Sequence, residues 1–148
     1  MPPRDAQAES LRLWVVFARA HAAIAARAQA DVARHGLTVA EFGVLEALHH
    51  KGPLLLSELK EKILVSNAGV TYLVDRLEKR ALVERRRCDR DRRAYYAHLT
   101  ADGTAFLERI FPEHAAAIAQ AFSVLDAGER TAATELLRRV GLHAANSK

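Results

Sequence analysis

The chain has 148 residues, half of them hydrophobic, and a net charge of +4 from 22 Lys+Arg against 18 Asp+Glu. That length and apolar content suffice for one domain with a real core, which excludes a disordered polyelectrolyte. One cysteine excludes an internal disulfide. With no apolar run near the ~18 residues of a membrane span and no secretion-signal pattern, the expectation is a soluble protein of a reducing cytoplasm, with no membrane partner.

The ends, Met1 to Asp5 and Ala144 to Lys148, are expected to fray. The first predicted element is a long helix, about Asp5 to Arg34. Leu11, Trp14, Val15, Ala18, Ala22 and Ala25 recur along it at three- and four-residue spacing and form one apolar stripe. Gly36 suits the left-handed position that ends it. Thr38 and Glu41 form a capping box for a second helix burying Phe42, Val44, Leu45 and Leu48, which stops before Gly52-Pro53. Leu54-Leu55-Leu56 reads as a short extended piece. Ser57 is the expected cap of a short third helix to about Ile63, with Glu58 near its positive end.

Leu64-Val65 makes a turn, and Ser66 caps a fourth helix. There Val70, Leu73, Val74, Leu77 and Ala81 share a packing face. Ala68, Tyr72, Asp75 and Lys79 point the other way, flanked by Thr71 and Arg76. Leu82 to Arg87 and Ala94 to Leu99 are predicted strands around the polar tip Cys88-Asp89-Arg90-Asp91-Arg92-Arg93. Thr100 caps a fifth helix, in which Pro112 should introduce a kink or a restart. Asp126 and Glu129 cap a sixth, carrying Leu136, Leu137 and Val140 and ending near Gly141.

The surplus charge is local. Ser57 to Thr100 holds 11 basic and 7 acidic residues, net +4, so the rest of the chain is neutral. A patch concentrated on a helix-turn-helix and a hairpin is the footprint of a nucleic-acid binder, with a solvated charged face as the plain alternative. Sparse aromatics argue against base-stacking platforms for single strands. The apolar stripes of the first, fifth and sixth helices exceed what a helix-turn-helix unit can cover, so a symmetric dimer is expected. Such a dimer would set two recognition helices about one turn of duplex apart.

The run from Ser66 through Gly69-Val70-Thr71-Tyr72-Leu73-Val74-Asp75-Arg76-Leu77-Glu78, the tip Asp89-Arg90-Asp91-Arg92-Arg93-Ala94 and the helix start Leu99-Thr100-Ala101-Asp102-Gly103 resemble the MarR family of winged-helix bacterial transcription regulators. The helix order matches as well, so the resemblance covers nearly the whole chain. Val70 to Asp75 and Phe111-Pro112 look most like the branch answering quinones and related phenolics.

The resemblance implies a mainly α fold with a small β-wing: a winged helix-turn-helix core at 37–100, with dimerisation helices at 5–35 and 101–143, as one domain over 1–148. It implies a homodimer on a pseudo-palindromic duplex DNA operator, acting as a repressor released by a small aromatic effector. Carried over by position, Ser57, Ser66, Asn67, Ala68, Thr71, Tyr72 and Arg76 fall on the major groove or nearby phosphates. Arg90, Asp91, Arg92 and Arg93 fall on the wing, with Asp91 placed to orient a wing arginine. Ala81 departs from the family pattern, which commonly has Gly after the recognition helix.

On chemistry alone, Thr71 can touch a thymine methyl and Asn67 can read adenine or grip phosphate. Trp14, Phe17, His21, Phe42 and His49 are candidate linings of an effector pocket, or else ordinary core and surface. Cys88, among Arg85, Arg86, Arg87 and Arg90, sits in a cationic setting of the kind that activates thiols. A redox- or electrophile-sensing regulator is therefore an alternative. A winged helix serving as a protein-interaction module is another, though it gives no reason for three arginines at the tip. The histidines and Cys88 lack metal-ligand spacing. No phosphate loop, nucleophile motif or carboxylate–histidine array is present, so no metal, cofactor or enzymatic activity is expected.

Overall fold

A computed structural model describes residues 4–147. The elements in chain order are α1 (Arg4–Ala33), α2 (Val39–Lys51), β1 (Leu54–Leu55), α3 (Leu56–Ile63), α4 (Asn67–Lys79), β2 (Val83–Arg87), β3 (Tyr95–Leu99), α5 (Ala101–Ala121) and α6 (Ala127–Asn146). The three strands form one antiparallel sheet in the order β1-β3-β2. Leu54 pairs with Ala97, and Val83 with Leu99. The fold is mainly helical with a small β-wing, as expected.

The core lies where α2, α3, α4, the sheet and the first half of α5 meet. Phe42, Val44, Leu45, Leu59, Val74, Leu77, Val83, Ala97, Leu107 and Ile110 are all at most 3% exposed. Thr38, Ser66, Thr100 and Asp126 each accept a hydrogen bond at a helix start from the main-chain N–H three residues on. These caps fix where each helix begins, and so the angle at which the chain enters it.

Several expectations are corrected. Ser57 does not cap α3. The cap position is Leu55, two residues earlier, so the helix begins at Leu56, and the Glu58 carboxylate accepts from the Leu55 N–H at 3.0 Å. Glu58 thus does the capping work, leaving the Ser57 side chain exposed. Ala81 is not on the packing face of α4; it lies beyond the helix, exposed, at φ 58°. Leu82 and Ala94 fall just outside the strands. Pro112 does not restart α5, which continues through it; the missing proline N–H falls on an exposed turn. α6 passes Gly141 and runs to Asn146, so Ala144 to Asn146 are helical, and Arg4 and Asp5 are helical at the other end. A single glycine costs a helix only about 1 kcal/mol, too little to stop it. Ser147 caps α6, its N–H donating to the His143 carbonyl, and Met1 to Pro3 and Lys148 lie outside the described residues.

At Ala81, where the family commonly has Gly, the backbone is left-handed. A left-handed φ costs an L-residue roughly 1–2 kcal/mol, against an entropic cost of about 0.5–1 kcal/mol for ordering a glycine. Ala81→Gly is therefore expected to stabilise the protein by about 0.5–1 kcal/mol, raising the melting temperature by about 2 °C. Calorimetry checks this, and a lower melting temperature would contradict it.

A charged cluster ties the end of α1 to α5. The buried Asp31 carboxylate meets Arg34 at 2.6 Å and the His114 ring at 3.1 Å, while Glu113 reaches Arg34 at 3.3 Å. Burial pushes the Asp31 carboxyl up, but hydrogen bonds from Arg34 and His114, with their charges, hold it below its ordinary value. The folded-state pKa is the lower one. Its contribution is therefore present above the usual carboxyl range and lost as pH falls through the folded value. Asp31→Asn should lower stability at neutral pH and weaken its acid dependence. Urea midpoints from about pH 7 to pH 3 test this, and an unchanged pH slope would contradict it.

Candidate nucleic-acid interface

α4 buries Val70, Leu73, Val74 and Leu77, so the rest of its surface must face outward. Ser66, Asn67, Ala68, Thr71, Tyr72 and Arg76 are all exposed on it or at its cap. The residues near the helix start are small or polar, which lets a base edge approach. The N-terminal end of α4 also carries the positive end of the helix dipole.

The wing stands beside this helix. Residues 88–94 close the hairpin by two main-chain bonds, Cys88 N–H to the Ala94 carbonyl at 2.9 Å and Ala94 N–H to the Asp91 carbonyl at 3.1 Å. The Asp91 carboxylate accepts from the Arg93 main-chain N–H at 3.0 Å. Asp91 thus shapes the turn that presents Arg93, rather than gripping its guanidinium. Arg90, Arg92 and Arg93 are exposed and have no ion-pair partner among the described residues. Their charge is free for an anion.

Between α4 and the wing lies an open cleft of about 860 Å³. Ser57, Thr71, Asp91 and Arg93 all line it, so three separate segments of the predicted set converge there. Two acidic residues of α4, Asp75 and Glu78, line it as well, and alone they would repel a phosphate backbone. Arg85 on β2 bridges both and offsets part of their charge, reaching Asp75 at 2.6 Å and Glu78 at 2.7 Å, and donates to the Thr71 carbonyl at 3.3 Å. It is only 20% exposed, so it pins the wing to α4.

Sequence reasoning counted Arg85 only as part of the charge and missed this role. The signal was strand alternation. Arg85 shares the face of Val83, which is buried.

The other cations divide by role. Arg76 donates to the buried Glu41 carboxylate at 3.3 Å and to the Tyr72 hydroxyl at 3.3 Å. The Tyr72 hydrogen bond, then the Glu41 charge, raise its pKa further, so it stays charged. Arg80 points away from the cleft, donating to the Gly36 carbonyl at 3.0 Å and the His35 carbonyl at 3.2 Å. Arg87 lies over the Tyr95 ring, and Arg86 pairs with Glu84. Burial, then the Arg86 charge, hold His98 below the usual histidine pKa against the pull of Glu84, so the patch owes its charge at neutral pH to arginine and lysine.

The candidate effector residues are not brought together within one chain. Trp14, Phe17 and His21 form a row on α1, with neighbouring rings 6.3 and 6.4 Å apart and all three exposed. Phe42 is core, its ring centroid 4.4 Å from that of His114. His49 lines a small pocket of about 200 Å³ between α2 and α5, with His50, Leu107, Phe111 and Pro112. Cys88 sits half-buried at the wing base. Among the described residues no cluster of metal-ligating side chains occurs, and no helix is long and apolar enough to cross a membrane.

Helix, turn, helix and an arginine-tipped hairpin on one face define a winged helix-turn-helix protein. A MarR family model matches residues 35–94. The chain is 42% identical over 136 residues to the HTH-type transcriptional regulator MhqR of Bacillus subtilis (strain 168), covering 92% of this chain and 94% of the relative. Sco3205, a MarR family transcriptional regulator from Streptomyces coelicolor solved in complex with DNA, matches with a TM-score of 0.85 at 28% identity, covering 90% of this chain and 86% of that one. BpsR of Bordetella bronchiseptica, solved to explain regulation of its DNA binding by 6-hydroxynicotinic acid, matches with a TM-score of 0.79 at 31% identity, covering 88% and 98%. The chain belongs to the MarR family and is a transcriptional regulator. Within the family, its likeness to MhqR supports the branch suggested by Val70 to Asp75 and Phe111-Pro112.

Proposed function

We propose that the protein is a homodimeric repressor that binds a pseudo-palindromic duplex operator and is released by a small aromatic effector. The observation that carries DNA binding is the unpaired Arg90, Arg92 and Arg93 set beside the polar start of α4 across one cleft. Ser66, Asn67, Ala68, Thr71 and Tyr72 enter the major groove. The wing arginines reach into the minor groove, where a narrow groove concentrates negative potential. A protein-docking winged helix would not leave these cations exposed and unpaired.

Dimerisation is supported by apolar surface that one chain leaves open. Leu11 and Trp14 on α1 are 66% and 63% exposed, and Leu136, Leu137 and Val140 on α6 are each more than half exposed. No residue of α6 is buried, so the helix packs little against the other described residues. A second copy covers these helices. The core at 37–100 then reads DNA, and the helices at 5–35 and 101–143 hold the pair together as parts of one domain.

The effector reading rests on the pocket by His49 and Phe111, an apolar slot between α2 and α5. A phenolic ring suits an apolar slot with a few polar ends. Release requires that the effector bind the DNA-incompetent arrangement more tightly. Fluorescence anisotropy with the gene's own upstream duplex, alongside sedimentation, tests the proposal. A dimer that binds at low salt and lets go on adding a phenol or quinone supports it. A monomer at micromolar concentration that ignores the duplex contradicts it.

A further inference from the structure

Glu41 is only 1% exposed, yet it carries a carboxylate into the junction of α2 and α4. Its Oε1 accepts from the Thr38 hydroxyl at 3.2 Å and from Arg76 Nε at 3.3 Å. Its Oε2 is buried with no hydrogen-bond partner. Burying a charge with one oxygen unsatisfied is costly. The local helix start does not demand it: the expected capping box is not formed, and the cap is the Thr38 hydroxyl accepting from the Glu41 main-chain N–H at 3.1 Å, whatever side chain stands at 41. The charge therefore serves something beyond α2.

Among the described residues its one cationic partner is Arg76. That side chain is 48% exposed and is held at two points, Nε on Glu41 and Nη1 on the Tyr72 hydroxyl, with the ring centroid 5.7 Å from the guanidinium carbon. A free arginine must lose rotamer freedom when it meets a phosphate. Arg76 has lost much of it already, and its Nη2 keeps no hydrogen-bond partner among the described residues. A lysine cannot bridge in this way, because its single ammonium offers no fork.

We infer that Glu41 is a positioning residue for DNA binding: a buried carboxylate that touches no DNA but fixes the Arg76 guanidinium, and through it the Tyr72 hydroxyl, for a backbone phosphate. The inference rests on the reading of Arg76 as a phosphate contact. It assigns to the floor of α2 a share of operator affinity.

The test is a double-mutant cycle of operator affinity on the full-length protein, with Glu41→Gln and Arg76→Ala singly and together. Gln keeps the volume and the cap. Glu41→Gln is expected to weaken binding about tenfold through the two copies in a dimer, with circular dichroism and dimerisation unchanged. In the Arg76→Ala background the same change is expected to have no further effect. Unchanged affinity in Glu41→Gln, or an equal loss in both backgrounds, overturns the inference while leaving the phosphate role of Arg76 standing. Unchanged affinity and salt slope in Arg76→Ala overturns both. Should Glu41→Gln fail to fold, Arg76→Lys decides, since it keeps Glu41 and the charge but not the fork. A loss close to that of Arg76→Ala supports the inference, and full retention of affinity overturns it.

Discussion

Gly103→Ala is expected to lower the melting temperature by about 4–8 °C, although Ala is the better helix former. Gly103 lies in the first turn of α5 and is buried. A Cβ built there would stand 2.0 Å from the Leu82 carbonyl oxygen and 2.9 Å from its carbon, with Leu99 Cδ2 at 3.2 Å. The obstacle is backbone and cannot rotate aside. The same carbonyl accepts from the Thr100 N–H at 3.2 Å. The Thr100 hydroxyl in turn donates to the Ala81 carbonyl at 2.6 Å and accepts from the Gly103 N–H at 2.9 Å.

One knot thus joins the end of the recognition helix, the start of β2 and the start of α5, and a methyl group in it must push them apart. Helix propensity returns about 1 kcal/mol, while overpacking against fixed backbone costs about 3 kcal/mol or more, so the clash wins. Calorimetry of Gly103→Ala checks the sign. A melting temperature equal to or above that of the parent would show that α5 can slide off β2 freely. Because the wing hangs from β2 and β3, the variant is also expected to bind DNA more weakly in proportion to its loss of native wing geometry.

That knot shows what was legible in the sequence and what was not. Thr100 as a cap and Gly103 as part of a motif were both readable, because capping follows from residue type and spacing. The close approach that makes Gly103 irreplaceable was not, since it depends on where the Leu82 carbonyl arrives from another element. The packing face of α4 was readable from its period, apart from Ala81, whose position past the helix end reflects a left-handed turn that no periodicity encodes. Ser57 was a sound cap candidate on propensity, but Glu58 bonding back to the Leu55 N–H shifted the cap by two residues.

The exposure of the candidate site residues was legible because α4 has one apolar face and the tip has none. The residues that hold the site rigid were harder. Arg85 and Glu41 act through long-range pairs, and one chain in isolation gives no sign of which carboxylate an arginine will meet. The effector set was the least legible. Trp14 and Phe17 belong to a face that one chain leaves uncovered, while Phe42 proved to be core.

Arg92→Ala combined with Arg93→Ala is expected to weaken operator binding by a hundred- to a thousand-fold, on the order of 1 kcal/mol for each of the arginines removed from the two wings. The structure supplies the reason for a large effect. Neither guanidinium has an ion pair to give up among the described residues, so neither pays to leave a protein partner when it meets a phosphate. The Asp91 turn presents Arg93 on a closed hairpin, so little backbone order remains to be lost. Each phosphate contact also releases counterions, contributing about 0.9 to the slope of log affinity against log salt. The variant slope should therefore be shallower by up to about 4 units, and the loss should be of similar size on operator and unrelated duplex. Thr71→Ala provides the contrast, since a side chain that reads a base should change the ranking of operators more than the slope. Salt titrations of both variants by anisotropy, with the melting temperature held as a control, decide the matter. Exposed arginines at the tip carry little of the fold, so the variant should melt as the parent does. A full-strength complex with an unchanged slope would remove the wing from DNA binding and leave α4 to carry it alone.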